Sequence, residues 1–408
     1  MPQSGKLWVF EANETLNAGS SPAINWDDAM RDERRNPHIG RRHIGRRRLL
    51  YAGAGGLALA GGAVAMVRSR ASAAYDEAAE VTWRRLQPTT ERAAALRELV
   101  RCATLAASSH NTQPWRFRPG QDGIEVSPDL GRRCPAVDPD EHHLFVSLGC
   151  AAENIVQAAP GLGLAATPDV DLDSGRVHIA VQSSSVPPTD LMGAIAHRQC
   201  TRADYDGRPV PPGHLRLLEA AGRQPGAAVL LFTDRGWLDR FLPLLLAANS
   251  AQMADPAFVA ELKAWIRFGY GDAVATQDGL FAGASGSPVL TAALGRALFD
   301  FVFTDASETA KYQRQLRSSA GVAVFVAERN DRAGWVAAGR AYQRFALQAT
   351  VLGLRHAFLN QPAEVPALRG DLAALVGMPG SRPDLVVRFG YGPELPRSLR
   401  RPVDAVLT

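Results

Sequence analysis

The sequence predicts an α+β protein in which one chain carries two related halves. Three observations predict it. "GCAAENIVQAAPGLGL" (Gly149 to Leu164) aligns without a gap on "GRAYQRFALQATVLGL" (Gly339 to Leu354), matching Gly149 to Gly339, Ala151 to Ala341 and Ala159 to Ala349. Both segments close on Leu-Gly-Leu, where the glycine suits a left-handed helix cap. Each copy is flanked alike, by a helix–strand unit before it and a strand-like run after it. Finally, 46% apolar and 21% charged residues are globular proportions.

The N-terminal extension, 1–74, reads as an address. Arg46, Arg47 and Arg48 lead into an uncharged Gly/Ala-rich run, Leu49 to Val67, followed by Arg68, Arg70 and "ASAA". A basic region, a weakly apolar segment and a small-residue site make a secretory signal, here of the twin-arginine type. Retained rather than cleaved, nineteen residues would span roughly 28 Å, about one hydrocarbon thickness. Either outcome puts the body outside the cytoplasm and makes the twin-arginine export machinery a partner.

The first half is expected over 75–185. It contains "AALRELVRCATLAASSHNTQPWRF" as helix, polar junction and strand, then the first repeat helix, then "RVHIAVQ". The second half is expected over 186–408. It contains "GHLRLLEAAGRQPGAAVLLF", the second repeat helix and "PDLVVRFGYG". An insertion at about 236–309 lengthens it, and "TQDGLFAGASGSP" (Thr276 to Pro288) within it has a surface-loop or lid composition.

Charge and cysteine usage exclude several functions. Residues 1–30 hold one Lys against four acids and residues 31–70 hold ten Arg against two acids, so the net +4 leaves the body near −1. That gives no case for nucleic-acid binding. The four cysteines have no CxxC spacing, which argues against a zinc motif or a disulfide framework. His142 and His143 are adjacent and have no third ligand at a recurring spacing, so no metal is expected.

The halves differ where chemistry would sit. Only the first carries "SSHNTQPW"; its counterpart "GRQPGAA" lacks nearly all those polar groups. Only the second opens with "HRQCTRADYDGRPV", where Arg198 and Arg202 are expected on one face of a helix opened by Thr189. Two guanidinium forks presented together suit phosphate. Arg397, Arg400 and Arg401 follow the last core strand.

These residues carry a resemblance. "LAASSHNTQPWRF" resembles the A-P-S-x-x-N-x-Q-P-W segment of the FMN-dependent nitroreductase family, and "HRQCTRADYDGRPV" its R-R-S-x-R-x-F opening. "AGRAYQRFALQATVLGL" and "VRFGYGPELPRSLRRPVDAVL" are similar to its core helix and closing segment. The likeness covers most of 93–407 and matches the fused, Acg-like branch. It implies a nitroreductase-like fold whose halves form an intramolecular pseudo-dimer, so that a homo-oligomer is not required. It also implies FMN as cofactor, with electrons passing from NAD(P)H to a nitro compound, quinone or similar acceptor. A lidded protein that stores FMN without turnover is the alternative.

By the same resemblance, Ser108, Ser109 and Asn111 would meet the FMN ring system, with Gln113 near it. Arg198 and Arg202 would bind phosphate or ribityl, Arg400 or Arg401 the phosphate. Backbone at Leu359 to Gln361 would lie near the reactive edge, and Arg202 is the candidate stabiliser of reduced flavin. No other catalytic group is implied. The family's proline is Ala107 here, its second Arg and its Ser are Gln199 and Cys200, and the chain has only three lysines. Pro114 and Trp115 read as structural.

Overall fold

The computed structural model describes residues 69–408. The expected signal therefore lies outside the described residues. Helix α1 covers 69–82. The first half then runs α2 (Arg92–Thr104), β1 (Trp115–Pro119), β2 (Gly123–Pro128), α3 (His142–Ala158), β3 (Leu164–Val170) and β4 (Val177–Ser183). A short α4 (Asp190–Ala194) lies in the connection. The second half opens with α5 (Pro212–Gly222) and β5 (Ala227–Phe232). Its insertion comprises α6 (Arg235–Met253), α7 (Pro256–Trp265), β6 (Ile266–Arg267), α8 (Tyr270–Thr276), β7 (Leu280–Phe281), α9 (Ala292–Val302) and α10 (Asp305–Arg317). The half closes with β8 (Gly321–Ala327), α11 (Arg332–Val351), β9 (Arg355–Phe358), α12 (Gln361–Glu364), α13 (Arg369–Leu375) and β10 (Pro383–Gly390).

The two four-stranded sheets have one topology. Their orders are β1-β2-β4-β3 and β5-β8-β10-β9, antiparallel throughout. Taken in chain order within each half, both are 1-2-4-3, with the repeat helix between the second and third strands. The chain is thus a duplicated α+β fold.

The repeat helices α3 and α11 cross at the centre, and their glycines set how closely. A Cβ on Gly149 would stand 2.1 Å from the Val336 carbonyl oxygen, and one on Gly339 would stand 2.0 Å from that of Val146. Val146 and Val336 are themselves separated by the repeat offset, so the contact is self-complementary, as at a two-fold interface. Beside it, buried Glu153 is held by Arg340 Nε at 3.1 Å, and Gln343 donates to Asn154 at 2.7 Å. Gly163 and Gly353 end the two repeats at φ +67° and +70°.

The sheets differ in how they are covered, for a reason visible in their strands. β4 alternates buried and exposed residues, so the first sheet keeps a solvent face. In β8, "GVAVFVA" is apolar throughout and buried on both faces. Ala323 and Phe325 join the central core with α11, whereas Val322, Val324 and Val326 pack with Trp237, Phe241 and Leu245 of α6. The insertion therefore supplies the layer that an unbroken apolar strand needs.

Both chain connections reach across to a sheet edge. Past β10 the tail returns to the first sheet, where Phe117 N donates to Val406 O and Thr408 N to Phe117 O, at 2.8 and 2.9 Å. Past β4 the link reaches the second sheet, where Thr201 N donates to His356 O at 2.9 Å.

His142 and His143 belong to this framework. His142 Nε2 lies 2.7 Å from Asp384 Oδ1, and His143 Nε2 lies 3.0 Å from the Asp384 carbonyl. Asp138 accepts the His143 and Leu144 amides that open α3. Burial lifts the Asp384 carboxyl from an ordinary 3.8 to about 7 and pushes the His142 imidazole well below its usual value. Folding thus takes up a proton at Asp384, and that contribution to stability is lost as pH rises from about 4 through 7. Asp384→Asn is expected to gain stability over the wild type above pH 7, by up to ~4 kcal/mol, with the gap closing toward pH 5. Thermal melts at pH 5 and pH 8.5 check the sign.

Candidate functional site

The approach from α2 to β1 is the most contorted backbone in the described residues. His110, Asn111 and Gln113 stand at φ +47°, +53° and +54°, conformations that cost a side-chain-bearing residue roughly 1 kcal/mol or more each. The turn is held from both ends. Ser108 Oγ accepts the Gln113 amide at 3.1 Å. Asn111 Nδ2 donates to Gly279 O at 2.9 Å and to Leu399 O at 3.2 Å, and Gly279 N returns a bond to Asn111 O. Among the described residues, the half-buried Ser109 hydroxyl and the buried Asn111 Oδ1 stay uncommitted.

Gln113 does not. Its Nε2 donates to Gln277 O and its Oε1 accepts the Arg401 amide, so it fastens the turn to the insertion and the tail. Trp115 is fully buried in the core.

The arginines come together at the last turn of α2. Arg198 Nη2 donates to Leu105 O at 2.9 Å, and Arg400 donates to Thr104 O at 2.9 Å and to Ala106 O at 3.3 Å. These carbonyls are the negative end of the helix, which suits cations. Yet Arg198 is 2% exposed and Arg400 7% exposed, and among the described residues neither has a carboxylate partner. Burial, with Arg198 adding repulsion, pushes the Arg400 guanidinium down to about 9. Arg198 Nε finds no acceptor at all. Its neighbours supply no negative charge either: the Tyr342 hydroxyl is held well above its usual range by burial, and burial takes His356 down to about 3.

One expectation needs correction here. α4 stops at Ala194, because the chain beyond is drawn into a bridge between Cys200 and His356 at the edge of the second sheet. Arg198 and Arg202 are therefore not on one helical face. Arg198 turns into the core and Arg202 lies half-buried nearer the turn, where its charge helps burial to depress His110 to about 4. Arg401, the alternative to Arg400 in the sequence reading, donates to Ala405 O at 2.6 Å and lies 3.8 Å from Asp129. "TQDGLFAGASGSP", expected as a surface loop or lid, packs down onto the protein. Phe281, Ala282 and Ala284 are buried, and Asp278 pairs with Arg132 and with Arg267, which closes the stretch over the turn.

One residue absent from the sequence reading positions the site. Arg388, fully buried on β10, donates to Ala203 O at 2.8 Å and stacks 4.1 Å from the Tyr205 ring. It thereby fixes the 201–205 segment that carries Arg202. An arginine inside a strand gives no periodic signal, so it could not be told from a surface residue. At Leu359–Gln361, the Leu359 amide and the Asn360 side chain bond to Val386, so this backbone is anchored to β10. A separate cleft of about 380 Å3 opens beside Arg101, Cys102, Leu105, Ile195 and His197, and residues 108–113 form none of its wall.

No family model matches the chain. Two curated proteins of Mycobacterium tuberculosis do. It is 28% identical over 330 residues to "Putative NAD(P)H nitroreductase Rv3131", covering 77% of this chain and 91% of that one. It is 26% identical over 328 residues to "Putative NAD(P)H nitroreductase acg", covering 76% and 94%. Among solved structures, the FMN-dependent nitroreductase NfnB from Mycobacterium smegmatis in complex with NADPH aligns with 53% of this chain and 96% of its own, at 16% identity and a TM-score of 0.35. A nitroreductase with bound FMN from Desulfitobacterium hafniense aligns with 54% and 97%, at 13% identity and a TM-score of 0.34.

Proposed function

We propose that the chain is an FMN-dependent oxidoreductase of the nitroreductase type, with one flavin site built by both halves. The observation that carries this reading is the pair of buried, carboxylate-free guanidiniums, Arg198 and Arg400, beside a strained turn with an orphaned Asn111 oxygen. Buried cations without partners are costly, and an anionic ligand offsets that cost. FMN fits both ends. Arg198 and Arg400 would hold the phosphate; Ser109 and Asn111 would meet polar atoms on the pyrimidine side of the ring; Arg202 would be the cation for charge that develops on reduction. The names of the mycobacterial relatives agree in class.

When bound, the flavin would supply two-electron chemistry, taking hydride from NAD(P)H and passing electrons to a nitro compound, quinone or similar acceptor. The protein's share is to hold the phosphate, satisfy the buried ring edge and exclude water. Steady-state NADPH oxidation with a nitroaromatic or quinone acceptor tests it. Turnover that rises with added FMN is expected, and a flavin-loaded protein inert to both NADH and NADPH contradicts it.

One observation favours a second reading, a flavin holder without turnover. The insertion bonds directly to the turn through Gly279 and Gln277. A Cβ on Gly279 would stand 2.4 Å from Trp265 O at a φ of +73°, so Gly279→Ala is expected to loosen this closure. In an enzyme that change raises FMN loss and lowers turnover together. In a storage protein it creates NADPH oxidation that the wild type lacks.

Export by the twin-arginine machinery, with the body periplasmic or anchored outside the cytoplasm, is part of the proposal and rests on the sequence of 46–74. Among the described residues no helix is long and apolar enough to cross a membrane. Fractionation of cells with Arg46 and Arg47 replaced by Lys tests it, since the protein should then stay in the cytoplasm.

A further inference from the structure

Three side chains that the flavin reading does not use converge at one point. His110 Nδ1 lies 3.6 Å from Cys134 Sγ. Glu261 brings a carboxylate oxygen to them, so that one donor atom from each residue falls within 4.8 Å of the other two. They come from three distant pieces of chain: the strained 109–111 turn, the loop that follows β2, and α7 of the insertion.

The His110–Cys134 spacing is that of two ligands of one ion. Tetrahedral geometry with a metal–sulfur bond of ~2.3 Å and a metal–nitrogen bond of ~2.0–2.1 Å puts the two ligand atoms roughly 3.6 Å apart. The carboxylate is already oriented. Glu261 Oε2 accepts the Ala136 amide at 2.9 Å and Oε1 the Val137 amide at 3.2 Å, which leaves lone pairs free on both oxygens. His110 is fixed by its own backbone at φ +47°. Cys134 is 3% exposed, while His110 and Glu261 are half-buried and leave a way in for an ion. One nitrogen, one sulfur and one oxygen suit a borderline-soft ion and not magnesium or calcium.

We propose that His110, Cys134 and Glu261 bind one divalent transition metal of the zinc type, with the fourth position open to water. On binding, the Cys134 S–H bond breaks, an S–metal bond forms and the proton passes to solvent; His110 coordinates through Nδ1 and keeps its proton on Nε2. No electron is transferred. The ion clasps α7 of the insertion to the turn that carries Ser109 and Asn111, and so holds the site closed. This site stands or falls independently of the flavin.

Cobalt(II) titrated into the chelator-treated full chain is the test, because its ligand-field bands in the red lie clear of flavin absorption. One equivalent is expected to give tetrahedral-type bands with a thiolate-to-cobalt charge-transfer band, and added zinc should bleach both. Cys134→Ser should abolish the charge-transfer band, and His110→Asn, which tolerates the positive φ, should weaken binding at least tenfold. Thermal melts of each variant in chelator establish that it is folded. Absence of stoichiometric bands in the wild type would overturn the proposal without recourse to any variant. Bands that persist unchanged in folded Cys134→Ser would overturn it as well, since the metal would then sit elsewhere.

Discussion

Gly339→Val is expected to abolish folding of the chain at ordinary temperature, and Gly149→Val to do the same. A β-carbon at either position lands about 2 Å from a carbonyl oxygen of the facing helix, Val146 for one and Val336 for the other. Real contacts of this kind keep at least ~3 Å, so α3 and α11 would have to move apart by about 1 Å along their whole crossing. The helices between them carry the largest shared core, and even alanine at these sites should cost on the order of 3 kcal/mol or more. The informative feature is the equality. If the halves meet about a pseudo-two-fold axis, Gly149→Ala and Gly339→Ala must lower the melting temperature by similar amounts. A large effect at one and none at the other would remove the symmetric reading of the core.

Arg198→Met carries the second large effect, and its size depends on ligand. Without FMN the variant loses a buried charge that has no carboxylate and that repels Arg400. The flavin-free protein should therefore melt close to the wild type, because relief of that repulsion offsets the lost bond to Leu105 O. With FMN the same change removes a charge-assisted contact worth ~1.5–3 kcal/mol, which weakens binding roughly 10- to 100-fold. Melts with and without FMN, beside a fluorescence titration, separate the two arms. A variant that melts far below the wild type and yet binds FMN equally well would make Arg198 a framework residue.

What the sequence revealed follows from what has a period. The repeat was readable because glycine is required exactly where two helices touch, and the offset of those glycines survives in the chain. Gly163 and Gly353 likewise mark helix ends through their positive φ. The polar turn stood out by composition alone. The supposed Arg198–Arg202 helix failed because pairing of Cys200 and Thr201 with the edge strand at His356 outweighs local helix preference, a tertiary effect with no local trace. The packing of the insertion was only half legible: a Gly/Ser-rich stretch reads as surface loop or lid, and the pairing of Asp278 with Arg132 and Arg267 has no local trace. Arg388 and the His110, Cys134 and Glu261 cluster were invisible for a simpler reason. Their partners lie far away in sequence, and no spacing rule connects them.

The stoichiometry of FMN binding tests the central claim most directly. A symmetric pair of halves would offer two equivalent sites, but the counterpart of the Ser108–Asn111 turn in the second half, around Gly222 to Ala228, lacks nearly all of the polar groups. Titration of FMN into the flavin-free chain, followed by visible absorption and quenching of flavin fluorescence, should saturate at one FMN per chain, and Arg198→Met should shift that curve. Saturation at two, or a chain that stays colourless at any FMN concentration, would contradict it.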